Sequence, residues 1–238
     1  ISLAGRDFFA LEVGNTWTYE QRGDDGTVRA RVLEIQGPRD SDGYVKEVET
    51  SLPEPEVSLL RFVSAGLESK DPLGAAGVWP GALAAMPTLL EVATPFYPIG
   101  GIRRVIRQGD LGADVDGDGK PDTFRAEVTQ EFLGFEQRLT MGAVRELARF
   151  RSTIAMTIAT TRDEKRQTAT GTLEVHYAEG VGVVYARQSF VGYDGVNLPA
   201  ETSTLVRAQI GNLIYRPQAV IFEKYLDLVN IIHDPTRG

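Results

Sequence analysis

Four carboxylates fall within nine residues of this chain, in Asp114-Val115-Asp116-Gly117-Asp118-Gly119-Lys120-Pro121-Asp122. With Asp114 as the first position, Asp116, Asp118 and Asp122 stand at the third, fifth and ninth. Side chains at alternate positions of a tight loop can converge on one cation, and the Lys120 carbonyl can turn inward beside them. Gly119 occupies the sixth position, where a calcium loop needs a residue free to turn sharply. Oxygen donors alone, with no Cys or His nearby, suit Ca²⁺ better than zinc or copper. The loop offers about five of the six to eight oxygens that Ca²⁺ takes. Asp110, Glu127 and water are candidates for the remainder. Without a cation, four carboxylates this close repel one another.

An ordinary EF-hand is excluded. It needs a bidentate Glu at the twelfth position and flanking helices, whereas Arg125 stands there and Thr123–Thr129 alternates like a strand. The run resembles the D-x-D-G-D-G-x-x-D loops of integrin-type (FG-GAP) propeller repeats, which also lead into a strand. It occurs once rather than with a blade repeat, so the resemblance concerns the loop and implies no propeller.

The elements around the loop read as antiparallel β. Trp17 and Tyr19 share one face of a first strand, and Gly14-Asn15 supplies the turn before it. Arg22-Gly23-Asp24-Asp25-Gly26 reads as a hairpin turn between Thr16–Gln21 and Thr27–Gln36, rather than as an adhesion tripeptide. Further strands are predicted over Tyr44–Thr50, Val57–Ser64, Thr123–Phe132, Phe135–Met141, 150–159, Thr170–Tyr177, Val183–Val191 and Glu201–Ile210. In Thr170–Tyr177, Leu173, Val175 and Tyr177 share one face, and His176 falls on the other, predicted exposed. Gln218–Ile232 has apolar residues at helical spacing and predicts one amphipathic helix packed on the sheet. The expected fold is mainly β: one domain over residues 1–238, built on a large antiparallel sheet as a curved half-barrel or sandwich, with a C-terminal helix at about 218–232.

The opening Gly14-Asn15-Thr16-Trp17-Thr18-Tyr19 and the later Ala178-Glu179-Gly180-Val181-Gly182-Val183-Val184 resemble a G-N-x-W-x-Y start and an A-x-G-V-G-x-V element. Both occur in a family of exported bacterial proteins and lipoproteins. The resemblance implies an antiparallel β architecture outside the cytoplasm and lends no activity.

Composition narrows the function classes. Twenty-five Lys and Arg against 33 Asp and Glu give a formal charge of −8, which disfavours nucleic acid. No run of about twenty apolar residues exists, so no helical transmembrane span is expected. The absence of cysteine excludes disulfides, thiol nucleophiles and Cys-ligated metals. Together with the calcium-type loop, this favours an exported protein, periplasmic or at the cell surface, whose lipid anchor, if it has one, lies upstream of Ile1. No G-x-S-x-G, H-E-x-x-H or P-loop sequence is present, and His176 and His233 stand alone.

Residues 72–101 carry Glu91 as their only charge and are crowded with Ala, Leu, Pro and Gly. Prolines at 72, 80, 87, 95 and 98 bar a long helix or central strand. The stretch is read as an apolar insertion that crosses the open end of the sheet and completes the core. Alternatively, Trp79, Phe96 and Tyr97, with Arg103 and Arg104 beside them, form the wall of a ligand site. The expected function is therefore non-enzymatic, acting by binding or envelope interaction with a protein or lipophilic ligand. A periplasmic carrier of a lipophilic ligand, capped by residues 72–101, is the first alternative and predicts an unfilled apolar cavity. A carboxylate-dependent hydrolase is the second and predicts a polar cleft with converging acids.

Overall fold

The computed structural model describes residues 8–53, 55–63, 66–70, 89–93, 99–110, 114, 116–162, 166–192, 195 and 197–217. The expected C-terminal helix, most of the apolar insertion, and Trp79, Phe96 and Tyr97 lie outside the described residues. The described chain forms thirteen strands of a single antiparallel sheet. These are β1 (Thr16–Gly23), β2 (Val28–Gln36), β3 (Val45–Glu49), β4 (Glu56–Val63), β5 (Gly66–Lys70), β6 (Leu89–Ala93), β7 (Ile102–Asp110), β8 (Thr123–Thr140), β9 (Ala143–Ala159), β10 (Arg166–Ala178), β11 (Gly182–Val191), β12 (Asn197–Ile210) and β13 (Leu213–Tyr215). The spatial order runs β6-β5-β4-β3-β2-β1-β12-β11-β10-β9-β8-β7, with β13 added on β12. Neighbours in sequence are neighbours in space, except that β6 and β7 stand at opposite ends of the described sheet; β12 also pairs with β1 and so joins two meanders.

The sheet is curled. From β4 to β10 there are six ladder steps, about 29 Å along a flat sheet. Yet the Phe9 ring meets Phe62 of β4 at 5.9 Å and Tyr177 of β10 at 4.7 Å between centroids. The strands must therefore bend round the N-terminal arm, whose Phe8, Phe9 and Leu11 are buried inside the curl. The core continues along that inner face through Trp17, Leu33, Phe132, Phe150, Tyr177 and Leu205. Period-two alternation places each of these on the inside, as expected of a sheet buried on one face.

Two sequence expectations are corrected here. Thr123–Phe132 and Phe135–Met141 are one strand, β8, not two. The interruption is a bulge between Phe132 and Gly134, where Gly134 takes φ +103°, a conformation open to glycine. His176 is not exposed: it retains 7% of its accessible surface. Its ring lies 4.8 Å from that of Tyr185, and its Nε2 is 2.9 Å from Glu174 Oε1. The outer face at this point is covered by its own cross-strand neighbours.

Candidate metal loop and interior cavity

The acidic loop joins β7 to β8 and lies against the turn between β9 and β10. Oxygens of Asp114, Asp116 and Asp122 lie within 4.8 Å of one another. Three donors each 2.3–2.6 Å from one Ca²⁺ are at most about 5 Å apart, so the spacing fits that ion. Asp118, the remaining carboxylate, stands outside this trio. Its Oδ1 accepts from the Lys120 amide at 2.8 Å and its Oδ2 from the Thr161 hydroxyl at 2.7 Å. Glu127, a candidate for completing the coordination, is instead gripped by Arg104, whose Nε and Nη2 each donate at 2.7 Å.

The trio is positioned by backbone donors. Asp114 accepts from Gly117 and Asp118 on Oδ1, at 2.6 and 3.1 Å, and from Gly119 on Oδ2, at 2.7 Å. These amides, that of Gly119 foremost, hold the Asp114 carboxyl below the usual carboxylate range. Gly117 and Gly119 adopt φ of +73° and +84°, the left-handed conformation that turns their amides toward Asp114. Asp116 Oδ2 accepts from the Arg162 amide at 2.8 Å, and Asp122 Oδ1 from the Thr161 amide at 2.9 Å. Asp122 is completely buried. Carboxylates on one loop thus hold the backbone of another, some forty residues away. A cation among them would be coordinated by groups that already tie β8 to the β9–β10 turn.

A second feature lies inside the curl. An open-sided cavity of about 740 Å³ is walled by strands β1–β5 and β10–β12. One end is apolar, with Phe9, Trp17, Leu33, Leu60, Leu67 and Tyr177. The other carries Gln21, Arg29, Arg31 and Glu201, while Glu49 and Glu47 of β3 stand opposite Leu33 and Ile35, nearer the apolar end. The division follows strand register: along β1 the inner face reads Trp17, Tyr19, Gln21, opposite Leu33, Arg31, Arg29 of β2. At the polar end Arg31 Nε donates to Glu49 at 2.7 Å, and Arg29 Nη2 to Glu201 at 3.0 Å. Two of the acids at the cavity wall, Glu49 and Glu201, are thus each engaged by an arginine. Tyr19 donates its hydroxyl to the Val183 carbonyl at 3.0 Å, and burial pushes its phenol far above the ordinary value.

Of the other residues singled out in the sequence, Arg104 is committed to Glu127, whose carboxyl it holds below its ordinary value. Arg103 and Arg104 both belong to β7, the last strand of the sheet, and neither lines the cavity. Gln21 was not singled out, although one more step of two from Trp17 and Tyr19 reaches it.

No protein-family model and no curated protein sequence matches the chain. Among solved structures, it is similar to a "putative lipoprotein" of Parabacteroides distasonis, at 14% identity and a TM-score of 0.43, covering 87% of this chain and 97% of that one. It is also similar to a "putative exported protein with YmcC-like fold" of Bacteroides fragilis, at 16% identity and a TM-score of 0.40, covering 85% and 98%. The "hypothetical lipoprotein YmcC" of Escherichia coli follows at 15% identity and a TM-score of 0.31, covering 82% and 87%. Likeness at these values transfers no activity.

Proposed function

We propose that this is an exported, non-enzymatic β protein that acts by binding, with Ca²⁺ in the Asp114–Asp122 loop fixing one end of its sheet. The observation that carries the calcium reading is the approach of Asp114, Asp116 and Asp122 oxygens to within 4.8 Å of one another. Their mutual repulsion is relieved by a divalent ion, and the all-oxygen set suits Ca²⁺. The role is structural, because the same carboxylates hold Thr161 and Arg162. A chain without cysteine, carrying such a loop, suits a compartment where free Ca²⁺ is abundant.

The test is thermal unfolding of chelator-treated protein, followed by addition of Ca²⁺. A ligand bound only by the native state adds about 2.7 kcal/mol at a hundredfold excess over Kd. For a domain of this size that raises Tm by roughly 5–10 °C. The rise should vanish in Asp114→Asn/Asp116→Asn. A wild-type Tm indifferent to Ca²⁺ would overturn the calcium reading.

A second reading, a carrier of a lipophilic ligand, is favoured by the cavity inside the curl. At 740 Å³ it falls in the range of small-molecule sites. The reading predicts that a fluorescent apolar probe binds saturably, with one site per chain. Failure to bind would leave the cavity as an unused hollow of the sheet.

A further inference from the structure

We infer that the end of the sheet opposite the acidic loop is a membrane-contact surface, where the tips of the β8–β9 and β12–β13 hairpins seat apolar side chains in the interface of an anionic bilayer. The inference rests on neither the metal loop nor the cavity.

Strand direction brings the two tips to one place. β8, β10 and β12 run the same way in the antiparallel order, so the β8–β9 and β12–β13 turns face one end of the sheet. The β7–β8 and β9–β10 loops face the other. The tips also touch: the Arg145 guanidinium lies 4.9 Å from the centroid of the Tyr215 ring, and a Cβ on Gly142 would stand 3.5 Å from the Arg216 carbonyl oxygen. The β8–β9 hairpin overhangs its neighbours. The β7–β8 ladder ends at Glu131 and the β9–β10 ladder at Leu147, so Arg138, Leu139, Val144 and Arg145 stand beyond both.

Each tip carries the same order of chemistry, apolar toward the turn and arginine behind. On β8–β9, Leu139 pairs with Val144, and Arg138 pairs with Arg145 one residue further from the turn. On β12–β13, Leu213 and Ile214 follow the turn, and Arg207 and Arg216 stand one residue beyond the last pair, Ala208 and Tyr215. Leu139, Val144, Leu213 and Ile214 keep 53–66% of their accessible surface. A single exposed apolar residue is ordinary, but four gathered on two touching tips mark a contact surface. Tyr215, half-buried between the tips, is of the residue type enriched where a bilayer meets water.

Charge selects the partner. Arg138 and Arg145 face each other across the ladder, an arrangement that is unfavourable without an anion between or above them. Among the described residues, none of the four arginines has an ion-pair partner. The acids along these elements are Glu146 on the hairpin, Glu179 beside it, and Glu12 on the turn that Asn15 fastens to Gly211. Glu136 is already held by Arg149. Four arginines against three acids leave this end positive on a chain of net charge −8, whose acidic loop lies at the far end and orients the tips toward an anionic surface. A protein partner would need a concave apolar surface ringed with acids to receive two convex tips. A bilayer offers phosphates above hydrocarbon at every point, and tip-first contact leaves the arginines on the phosphate side of the apolar residues.

The experiment is flotation with vesicles of phosphatidylcholine alone and of an equal mixture of phosphatidylcholine and phosphatidylglycerol. The protein should bind the mixed vesicles at least about tenfold more tightly at low salt, and the difference should shrink as salt is added. Leu139→Ser/Val144→Ser should weaken binding to both vesicles about tenfold. Circular dichroism checks its fold, and Leu213→Ser/Ile214→Ser takes its place if it does not fold. Arg138→Gln/Arg216→Gln should remove most of the preference for phosphatidylglycerol. Leu139→Trp should shift its emission to shorter wavelength on the mixed vesicles. Binding that persists in chelator in Asp114→Asn/Asp116→Asn supports the inference, whereas binding lost there is Ca²⁺ bridging at the acidic loop and overturns it. Failure of the folded wild type to float, an unshifted Leu139→Trp emission, or wild-type flotation by the serine variants also overturns it. So does a dimer in sedimentation velocity that the serine variants dissociate, which would assign the tips to a second copy of the chain. The calcium titration and the apolar-probe test read other parts of the molecule and are untouched by each of these results.

Discussion

The indole Nε1 of Trp17 donates a hydrogen bond of 2.6 Å to the carbonyl of Val181, 164 residues away in the chain. Two positions along the same strand, the Tyr19 hydroxyl reaches the carbonyl of Val183. The two short sequence elements that carry the Trp-Thr-Tyr and Gly-Val-Gly patterns are therefore one contact in the fold. Gly182 lies between the two accepting carbonyls with φ +103°, and a Cβ there would stand 3.3 Å from Trp17 Nε1. Both its backbone conformation and the closeness of the indole favour glycine. Replacing Trp17 by Phe keeps most of the apolar volume but orphans a buried carbonyl, which costs about 1–3 kcal/mol. Denaturant unfolding should show that loss with the m-value unchanged. A Trp17→Phe variant as stable as wild type would mean that the bond contributes nothing net.

Asn15 predicts a comparable effect by a different route. It is 1% exposed, donates to Ala10 O at 2.9 Å and to Glu12 Oε2 at 3.0 Å, and accepts from the Gly211 amide at 2.8 Å. One side chain thus fastens the N-terminal arm to the β12–β13 turn. Asn15→Ala should cost roughly 2–4 kcal/mol, at about 1 kcal/mol per bond and more for the buried amide left alone. Hydrogen exchange should accelerate at Gly211 before it does in β9.

The surface ion pairs predict acid sensitivity. Arg104 holds the Glu127 carboxyl below its ordinary value, and Arg149 does so for Glu136, by hydrogen bonding first and charge second. A carboxyl whose native pKa is depressed binds fewer protons folded than unfolded. Its contribution is present above the unfolded value, roughly 4.3 for Glu, and is lost as pH falls through the native one. Stability should therefore decline below about pH 4.5, and Glu136→Gln should make the decline shallower. The first pair is largely exposed and the second half-buried, so the change is small and should shrink further in added salt.

The clamp between the acidic loop and the β9–β10 turn can be tested apart from metal. Thr161→Val removes the hydroxyl that donates to Asp118 at 2.7 Å but keeps the amide that donates to Asp122. Stability should fall by about 1 kcal/mol or less, as for a bond at an exposed site. Thr161→Pro removes that hydroxyl and the amide donor to the buried Asp122 together, so it should cost several times more.

The legible part of the fold was the alternation. Where one face is buried and the other wet, period two marked β1 to within two residues and the C-terminal ends of β10 and β12 to within one, although both of these strands begin four residues earlier than expected. It was weaker at the margins. β7 lies at an end of the described sheet with Ile102 and Ile106 exposed and arginines between them, so its inner and outer faces differ little in hydropathy. β6 sits in the gap between Pro87 and Pro95, a short strand in the stretch read as an apolar insertion. The clustering of the loop's carboxylates was legible, but not their hydrogen-bond partners. Thr161 and Arg162 are 39 to 46 residues from the aspartates they bind, and nothing local marks them. Nor does spacing distinguish Asp118, which stands outside the trio, from Asp116, which belongs to it, although both bond the turn. An apolar cavity was expected only on the carrier alternative; its polar lining was not, because Arg31 and Glu49 meet only when β2 and β3 pair, and Gln21 and Ser203 only when β1 and β12 do.

Direct calcium binding tests the central claim most closely. Isothermal titration of Ca²⁺ into chelator-stripped protein should give one site per chain, and Asp114→Asn/Asp116→Asn should abolish the heat while remaining folded. Saturable binding lost in the double variant would establish that the acidic loop is a calcium site. A flat titration of the folded wild type would contradict the account and reduce the loop to a hydrogen-bonded acidic turn.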